Sequence, residues 1–444
     1  MPLHERDRTV RAFLPSLARF MHQRARVSLV SRRRGFGALA LAAAVVFGPP
    51  SPAYGQGAYL DPSEEGRFQL GSFSFTPAFF VTGGYDTNVT SEPGAIADYE
   101  LVTVPQVEAW YRAGRLLLNG VSAAEFINYR VQRPIRTFNH FNGLSLRFPG
   151  AILEPRISAS HRNHFARPTG FEIGERSRRI EDEIRGSLSW SLSERTALLA
   201  EGRWLRINWD AAAQYRGSNL RESLNRTVGT GELGVSMALT PLTAVSLSLQ
   251  LGRDRFEFSP ERDGNSLQAG AGVSFASPAL ISGSALVAYR RFDSPHSDSL
   301  DFDGVVAAAH LAYIRETRTR FIVAVERQPY FSYAESLGYY LLNSASAKYV
   351  QTVLDNWEIA AFGGISGLDY RRAGLPSHAG WDRTRHDFGG GLTCRIGAVT
   401  RIGVNASRTV SRGGLPYDKW RVIAFLAYGS DRLQRLDRPL PDER

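Results

Sequence analysis

Eight arginines and five carboxylates are the side chains of this sequence best placed to do chemistry. Arg147, Arg185, Arg203, Arg290, Arg320, Arg395, Arg401 and Arg421 fall on the polar side of segments in which apolar and polar residues alternate. Glu183, Glu201, Asp254, Glu326 and Asp387 fall on the same side. In an extended chain successive side chains point to opposite faces, so residues two apart share one. Two kinds of chemistry are open to such a set. It can form a ladder of cross-strand ion pairs that stiffens a wall, or a basic lining that attracts anions or acidic sugars. The near balance of acids and bases favours the ladder.

Signals for catalysis are weak by comparison. The sequence has no His-Glu-x-x-His, no Gly-x-x-x-x-Gly-Lys and no Gly-x-Ser-x-Gly. Gly389-Gly390-Gly391 lacks the Lys-Ser/Thr that would make it a phosphate loop, and in a strand it reads as room for bending or close backbone approach. His161 and His164 are three apart, which on a strand turns them to opposite sides and argues against a shared metal. The single cysteine, Cys394, excludes an internal disulfide and a cysteine metal cage. The expectation is no enzyme, no metal and no cofactor.

The elements that must position these charges begin after residue 72. About 18 strand-like segments follow one another between residues 73 and 428, most of them 10–15 residues long. Strands of soluble sandwiches average about five or six residues, and about nine to eleven cross a bilayer. The connections alternate in length. Tight joints fall after even-numbered segments, at Ala113-Gly114, Pro149-Gly150, Ser193-Glu194, Thr240-Pro241, Ser277-Pro278, Glu316-Thr317, Leu354-Asp355 and Gly397-Ala398. Long polar ones fall after odd-numbered segments, as at Thr87–Asp98, Ala166–Ile180, Asp210–Leu224 and Arg372–Arg383. Transmembrane barrels have short periplasmic turns and longer outer loops, so both ends of the strand array are expected on the periplasmic side.

Faces can be assigned segment by segment. Val245, Leu247, Leu249 and Leu251 alternate with Ser246, Ser248, Gln250 and Gly252; Phe321, Val323 and Val325 oppose Arg320, Glu326 and Gln328. Ile402, Val404 and Ala406 oppose Arg401, Gly403 and Asn405, and Trp420, Val422, Ala424, Leu426 and Tyr428 form one stripe. Cys394 falls on the apolar, lipid-facing side. Aromatics near segment ends (Trp110, Tyr111, Trp190, Trp209, Phe292, Trp357, Tyr370, Trp420 and Tyr428) fit the two interfacial girdles of a membrane barrel as a set. The fold expected is all-β: a transmembrane antiparallel up-and-down barrel of about 18 strands, with a lumen wide enough for water unless loops fill it.

The chain carries +10 over 444 residues, but that charge is misplaced for nucleic acid. Nine arginines against Glu5 and Asp7 put +7 in residues 1–55 and leave +3 for the rest. Arg32-Arg33-Arg34, the apolar run Phe36–Phe47, a Pro-rich stretch and Ala53-Tyr54-Gly55 read as a secretory signal peptide cleaved before Gln56. Arg33-Arg34-Gly35-Phe36 faintly resembles a twin-arginine signal, but a barrel must travel unfolded, which favours the general secretory route. The organisation expected is a leader over 1–55, a periplasmic segment over 56–72, the barrel over 73–430 and a charged periplasmic tail over 431–444.

Gly84-Tyr85-Asp86-Thr87-Asn88-Val89 closes the first segment and leads into an Asx-rich turn. Ile281–Phe292 reads Ile-Ser-Gly-Ser-Ala-Leu-Val-Ala-Tyr-Arg-Arg-Phe. These two motifs resemble the first-hairpin signature and the late Ser-Gly-Ser-x-x-x-x-Tyr-Arg-Arg strand of an outer-membrane β-barrel porin family associated with exopolysaccharide gene clusters. The resemblance implies a cell outer membrane location in a Gram-negative cell and a pore or accessory channel beside polysaccharide synthesis or export. It implies no catalytic residues. Residues after Tyr428 depart from the aromatic end common among barrels. Two alternatives stay open, a small-solute porin and a plugged structural or surface-binding barrel. An inward-folded constriction loop would favour the porin, and no loop is conspicuously dominant in the sequence. The partners expected are outer-membrane lipid, the barrel-assembly machinery, and polysaccharide or small solutes, with no nucleic acid.

Overall fold

The computed structural model describes residues 67–429, apart from 166–171, 173–176, 216, 277–279, 296–300, 317, 334–337, 372–382 and 415. The leader, the charged tail and parts of the longest loops lie outside the described residues. Eighteen long strands run β1 Phe73–Asp86, β2 Asp98–Ala113, β3 Leu116–Tyr129, β4 Thr137–Arg147, β5 Leu153–Phe165, β6 Arg178–Ser191, β7 Thr196–Trp209, β8 Arg226–Thr240 and β9 Thr243–Phe256. They continue as β10 Gly264–Phe275, β11 Ile281–Asp293, β12 Phe302–Arg315, β13 Thr319–Phe331, β14 Tyr339–Leu354, β15 Trp357–Arg371, β16 Arg383–Ile396, β17 Thr400–Arg412 and β18 Tyr417–Tyr428. Each pairs antiparallel with the next. The sheet closes because β18 also pairs with β1, from Phe79↔Tyr428 to Asp86↔Arg421. Closure follows from the medium: an unpaired amide in hydrocarbon is costly, and only a sheet without edges avoids the cost. A three-residue strand, Phe68–Leu70, folds back on Phe73–Phe75 at the rim that carries the tight turns.

Eighteen strands and their alternation of joints match the sequence pattern, with ends that differ by a few residues. β6 starts at Arg178, inside the long connection expected over Ala166–Ile180, and β14 runs to Leu354, the first residue of an expected tight joint. Gly114 and Gly397 sit at φ of 61° and 66° in two of the tight turns, a backbone region that glycine enters without steric cost.

Register decides which face is which. Val235, Leu247, Ala271, Val287 and Ala307 lie side by side across β8 to β12. Leu233, Leu247, Leu251 and Val287 on this side are each more than half exposed. Such a continuous apolar belt would make a soluble protein aggregate; on a closed barrel it is the surface that meets lipid. Following the register round the sheet splits the aromatic set expected at the girdles. Tyr111, Trp190, Trp357, Trp420 and Tyr428 face outward, whereas Trp110, Trp209, Phe292 and Tyr370 face inward and do not belong to a girdle. Nearness to a strand end does not choose a face; parity does.

One hairpin leaves the wall. The β12–β13 ladder stops at Ala307↔Arg327, but β13 and β14 stay paired out to Phe331↔Tyr339. Free of β12, this hairpin leans over the interior. The Phe331 ring lies edge-on to Phe256 of β9 at 4.9 Å and to Phe292 of β11 at 5.5 Å, both on the inner face of the adjoining wall. Beyond it, Tyr333 meets Trp209 of β7 at 5.5 Å. A loop that folds inward is therefore present, although no single connection announces it by length.

The topology has a direct test. After Cys394 is replaced by serine, Gly94→Cys and Glu222→Cys should react with impermeant maleimide on intact cells. Glu194→Cys and Asp355→Cys, in the tight turns, should stay shielded until the outer membrane is broken. The opposite pattern would invert the barrel.

Candidate functional site: the barrel interior and its mouth

The charges on the inner face form short-range pairs. Glu183 of β6 holds Arg203 of β7 at 2.9 Å and Arg185 at 3.2 Å, and Arg185 reaches Glu201 at 3.4 Å. These four alternate in sign across two neighbouring strands, as an inward row with period two dictates. The other residues singled out from sequence find partners outside that set. Arg147 pairs with Glu154 at 2.8 Å, Asp254 with Arg226 at 3.5 Å, Arg320 with Glu358 at 3.2 Å, Asp387 with Arg385 at 2.7 Å, and Arg421 with Glu100 at 2.6 Å. Glu326 accepts from the Tyr330 hydroxyl, and Arg395 donates to the Asp355 carbonyl at 3.0 Å in the turn below. Arg290 lies on the inner face near Asp254. Arg395 and Arg401 stand opposite each other across β16 and β17 at the tight-turn end.

Several of these partners carry a signal in the sequence. Arg179 and Glu181, which contact each other, continue the row of Glu183 and Arg185 at the same two-residue spacing, and Arg385 precedes Asp387 by two. Glu100 is harder to find, because its bond to Arg421 exists only once the first and last strands meet. Lys419 and Asp86, 3.0 Å apart, also span that seam. Among the described residues no group of three or more His, Cys, Asp or Glu side chains could hold a metal. His161 and His164 face opposite sides of β5.

The mouth is built differently, from loop residues without period. Arg262, in the β9–β10 connection, donates to three carbonyls: Ser223 at 3.0 Å, Ser332 at 2.6 Å and Gly338 at 3.2 Å. Its guanidinium lies over the Phe256 and Phe331 rings at 5.5 and 5.7 Å. It thereby ties the inward hairpin to the β7–β8 connection. Glu172 makes the second tie. Its carboxylate accepts from the Ser332 hydroxyl at 2.5 Å and the Tyr333 amide at 3.2 Å. Its carbonyl accepts from the Tyr215 hydroxyl at 2.7 Å and from Arg383 of β16 at 3.0 Å. Residues from the β7–β8 connection round to β16 thus converge on Glu172, whose carboxyl is buried. Burial pushes that carboxyl up to about 7, against hydrogen bonds from Ser332, Tyr333 and Tyr370 and the charge of Arg262 that favour ionisation. Under it packs an apolar cluster of Leu205, Ile207, Trp209, Leu220, Leu224 and Phe256. Neither Glu172 nor Arg262 belongs to an alternating segment, so no pattern marks them in the sequence.

Among curated proteins none matches this chain. Solved structures similar to it include the outer membrane protein OpdK from Pseudomonas aeruginosa, at TM-score 0.46 and 9% identity over 80% of this chain and 99% of that one. OccAB2 from Acinetobacter baumannii gives TM-score 0.45 and 11% identity over 81% of this chain and 100% of that one. The ferric enterobactin receptor of Pseudomonas aeruginosa gives TM-score 0.45 and 8% identity over 82% and 81%. A family model described as "Putative beta-barrel porin 2" matches residues 183–384, from β6 into β16. With a closed sheet of eighteen strands, an outward apolar belt and that match, the chain is a porin-like β-barrel of the outer membrane.

Proposed function

We propose that the protein passes small polar solutes through a lumen lined by paired charges and narrowed at its outer mouth. The inner-face residues Arg147, Glu183, Arg185, Glu201, Arg203, Asp254, Arg290, Arg320, Glu326, Asp387, Arg395, Arg401 and Arg421 would form the lining. The observation that carries the reading is the inward β13–β14 hairpin, locked across the mouth by Arg262 and Glu172. A polymer needs a continuous wide bore, whereas a small solute needs only gaps beside a constriction. Polysaccharide export rests on the two sequence motifs alone, and the constriction speaks against it. Mixed signs on the wall suit solutes that carry both charges, or none, better than a strongly anionic cargo.

Liposome swelling with sugars of increasing size tests this. Wild type should admit mono- and disaccharides and exclude longer oligomers. Arg262→Ala releases three buried carbonyls and the hairpin they hold, and should raise both the size limit and the planar-bilayer conductance severalfold. Passage of long oligosaccharides through wild type, or no conductance from either protein, would reject the small-solute reading.

A further inference from the structure

The outer wall carries a groove that transport through the lumen does not explain. On β8 three consecutive outward positions are small: Thr227, Gly229 and Gly231. A Cβ at Gly229 or Gly231 would meet nothing within 4 Å, so the groove is open. Its sides are larger. Arg206 and Trp204 of β7 stand on one side, level with Thr227 and Gly229. Arg255, Arg253 and Leu251 of β9 stand on the other, level with Thr227, Gly229 and Gly231. Leu233, among the most exposed leucines, closes the lower end. From Thr227 to Leu233 the groove runs about 20 Å down the strand, and its walls are two strand spacings, about 10 Å, apart. The upper third is cationic and the lower part is apolar.

The arginines here differ from others at the same level of the barrel. Arg291 is paired with Asp293 at 2.9 Å, Arg408 holds Asp418 with two hydrogen bonds, and Arg327 donates to Asn343 and the Val305 carbonyl. Arg255 is tied back to the carbonyls of Asp254 and Gly264 and to Asn265, and lies 3.6 Å from Asp263. Arg206 and Arg253 are exposed and have no hydrogen-bond or ion-pair partner among the described residues. Asp182, the acid directly across from Arg206, is taken by His161 at 2.7 Å. Two free guanidinium groups thus stand at the loop end of the wall, immediately above apolar surface, where a lipid headgroup meets its chains.

We propose that this groove binds a phosphorylated lipid of the outer leaflet. The headgroup phosphate sits between Arg206 and Arg253, with Arg255 adding charge, and an acyl chain lies along Thr227, Gly229 and Gly231 against Trp204 and Leu251. Arginine suits phosphate because its planar donors match two oxygens at once. The site is independent of what crosses the lumen.

Native mass spectrometry of the full-length barrel in neutral detergent provides the test, with bis-phosphorylated lipid A, the same lipid stripped of phosphate, and inorganic phosphate as probes. Wild type should retain one phosphorylated lipid, and the stripped lipid should bind about tenfold or more weaker, the equivalent of a lost charge-assisted hydrogen bond. Arg206→Gln with Arg253→Gln should lose a similar factor, and Gly229→Leu should block the groove while leaving the arginines in place. Arg291→Gln with Arg408→Gln should bind like wild type. Heat-modifiable migration in gels confirms that each variant is folded. Equal retention of stripped lipid, undiminished binding by the Arg206/Arg253 variant, or competition by inorganic phosphate at the lipid's own concentration would each overturn the proposal.

Discussion

Leu247→Arg should abolish most assembly of the barrel, whereas Ser248→Arg, one residue along, should leave assembly near wild type. Leu247 is 66% exposed on the outward belt of β9, flanked by Val235 and Ala271, with no acid beside it. An arginine on the lipid face near the midplane costs about 2–4 kcal/mol. That is a large share of the stability that separates a folded domain from its unfolded chain. Ser248 faces inward between Gly234 and Gly270, is only partly buried, and hydrogen-bonds Glu232 on the neighbouring strand. An arginine there enters a polar space and gains an acid within reach. Recovery of heat-modifiable protein in the outer-membrane fraction measures both. Equal tolerance would mean that β9 does not touch lipid. A harmful Ser248→Arg beside a harmless Leu247→Arg would mean that the register is shifted by one and that the inward list of charges is reversed with it.

That pair also shows how far the chain alone reveals the fold. A strand half in lipid and half in water writes its faces into the chain residue by residue, so the alternation of Leu247 with Ser248 is legible in the sequence itself. So are the tight joints, since a two-residue turn needs residues such as Gly114 and Gly397. Aromatics are a finer case. Trp110 and Tyr111 are adjacent, so on one strand only one of them can face lipid, and the pair itself contradicts their joint assignment to a girdle. Tertiary partners are less visible. Arg421 and Glu100 meet because the sheet closes, and nothing local in either segment encodes that meeting. Glu172 and Ser332 come from two separate loops, and their bond depends on β13 leaving β12 at Arg327. Loops carry no period, so a site assembled from loop tips leaves no signal in spacing.

The mouth should loosen as pH rises. Glu172 has a folded-state pKa of about 7 against an ordinary value of 4.5, because burial disfavours its charged form. A carboxyl raised in this way binds its proton more tightly in the closed mouth than in the open or unfolded chain. Its contribution to closure is complete below about pH 4.5 and is lost as pH climbs through about 7, a change of about 3 kcal/mol over the full interval. The groups around it modulate this without reversing it. Arg262 and the donors Ser332, Tyr333 and Tyr370 favour the ionised form, while desolvation outweighs them. Arg383 and Tyr215 bond its carbonyl, so they hold the backbone whichever form the side chain takes. Planar-bilayer recordings between pH 5 and pH 8 should therefore show conductance, or the fraction of time spent in the larger state, increasing with pH. Glu172→Gln keeps a neutral side chain of the same length, which can still accept from Ser332 and Tyr333. It should hold the smaller conductance across the whole range. Ser332→Ala removes one bond to the carboxylate and should move the wild-type transition to higher pH, because a donor that favours ionisation is gone. If Glu172→Gln opens with pH as wild type does, another group controls the mouth, and the Glu172 tie to the β13–β14 hairpin is structural only.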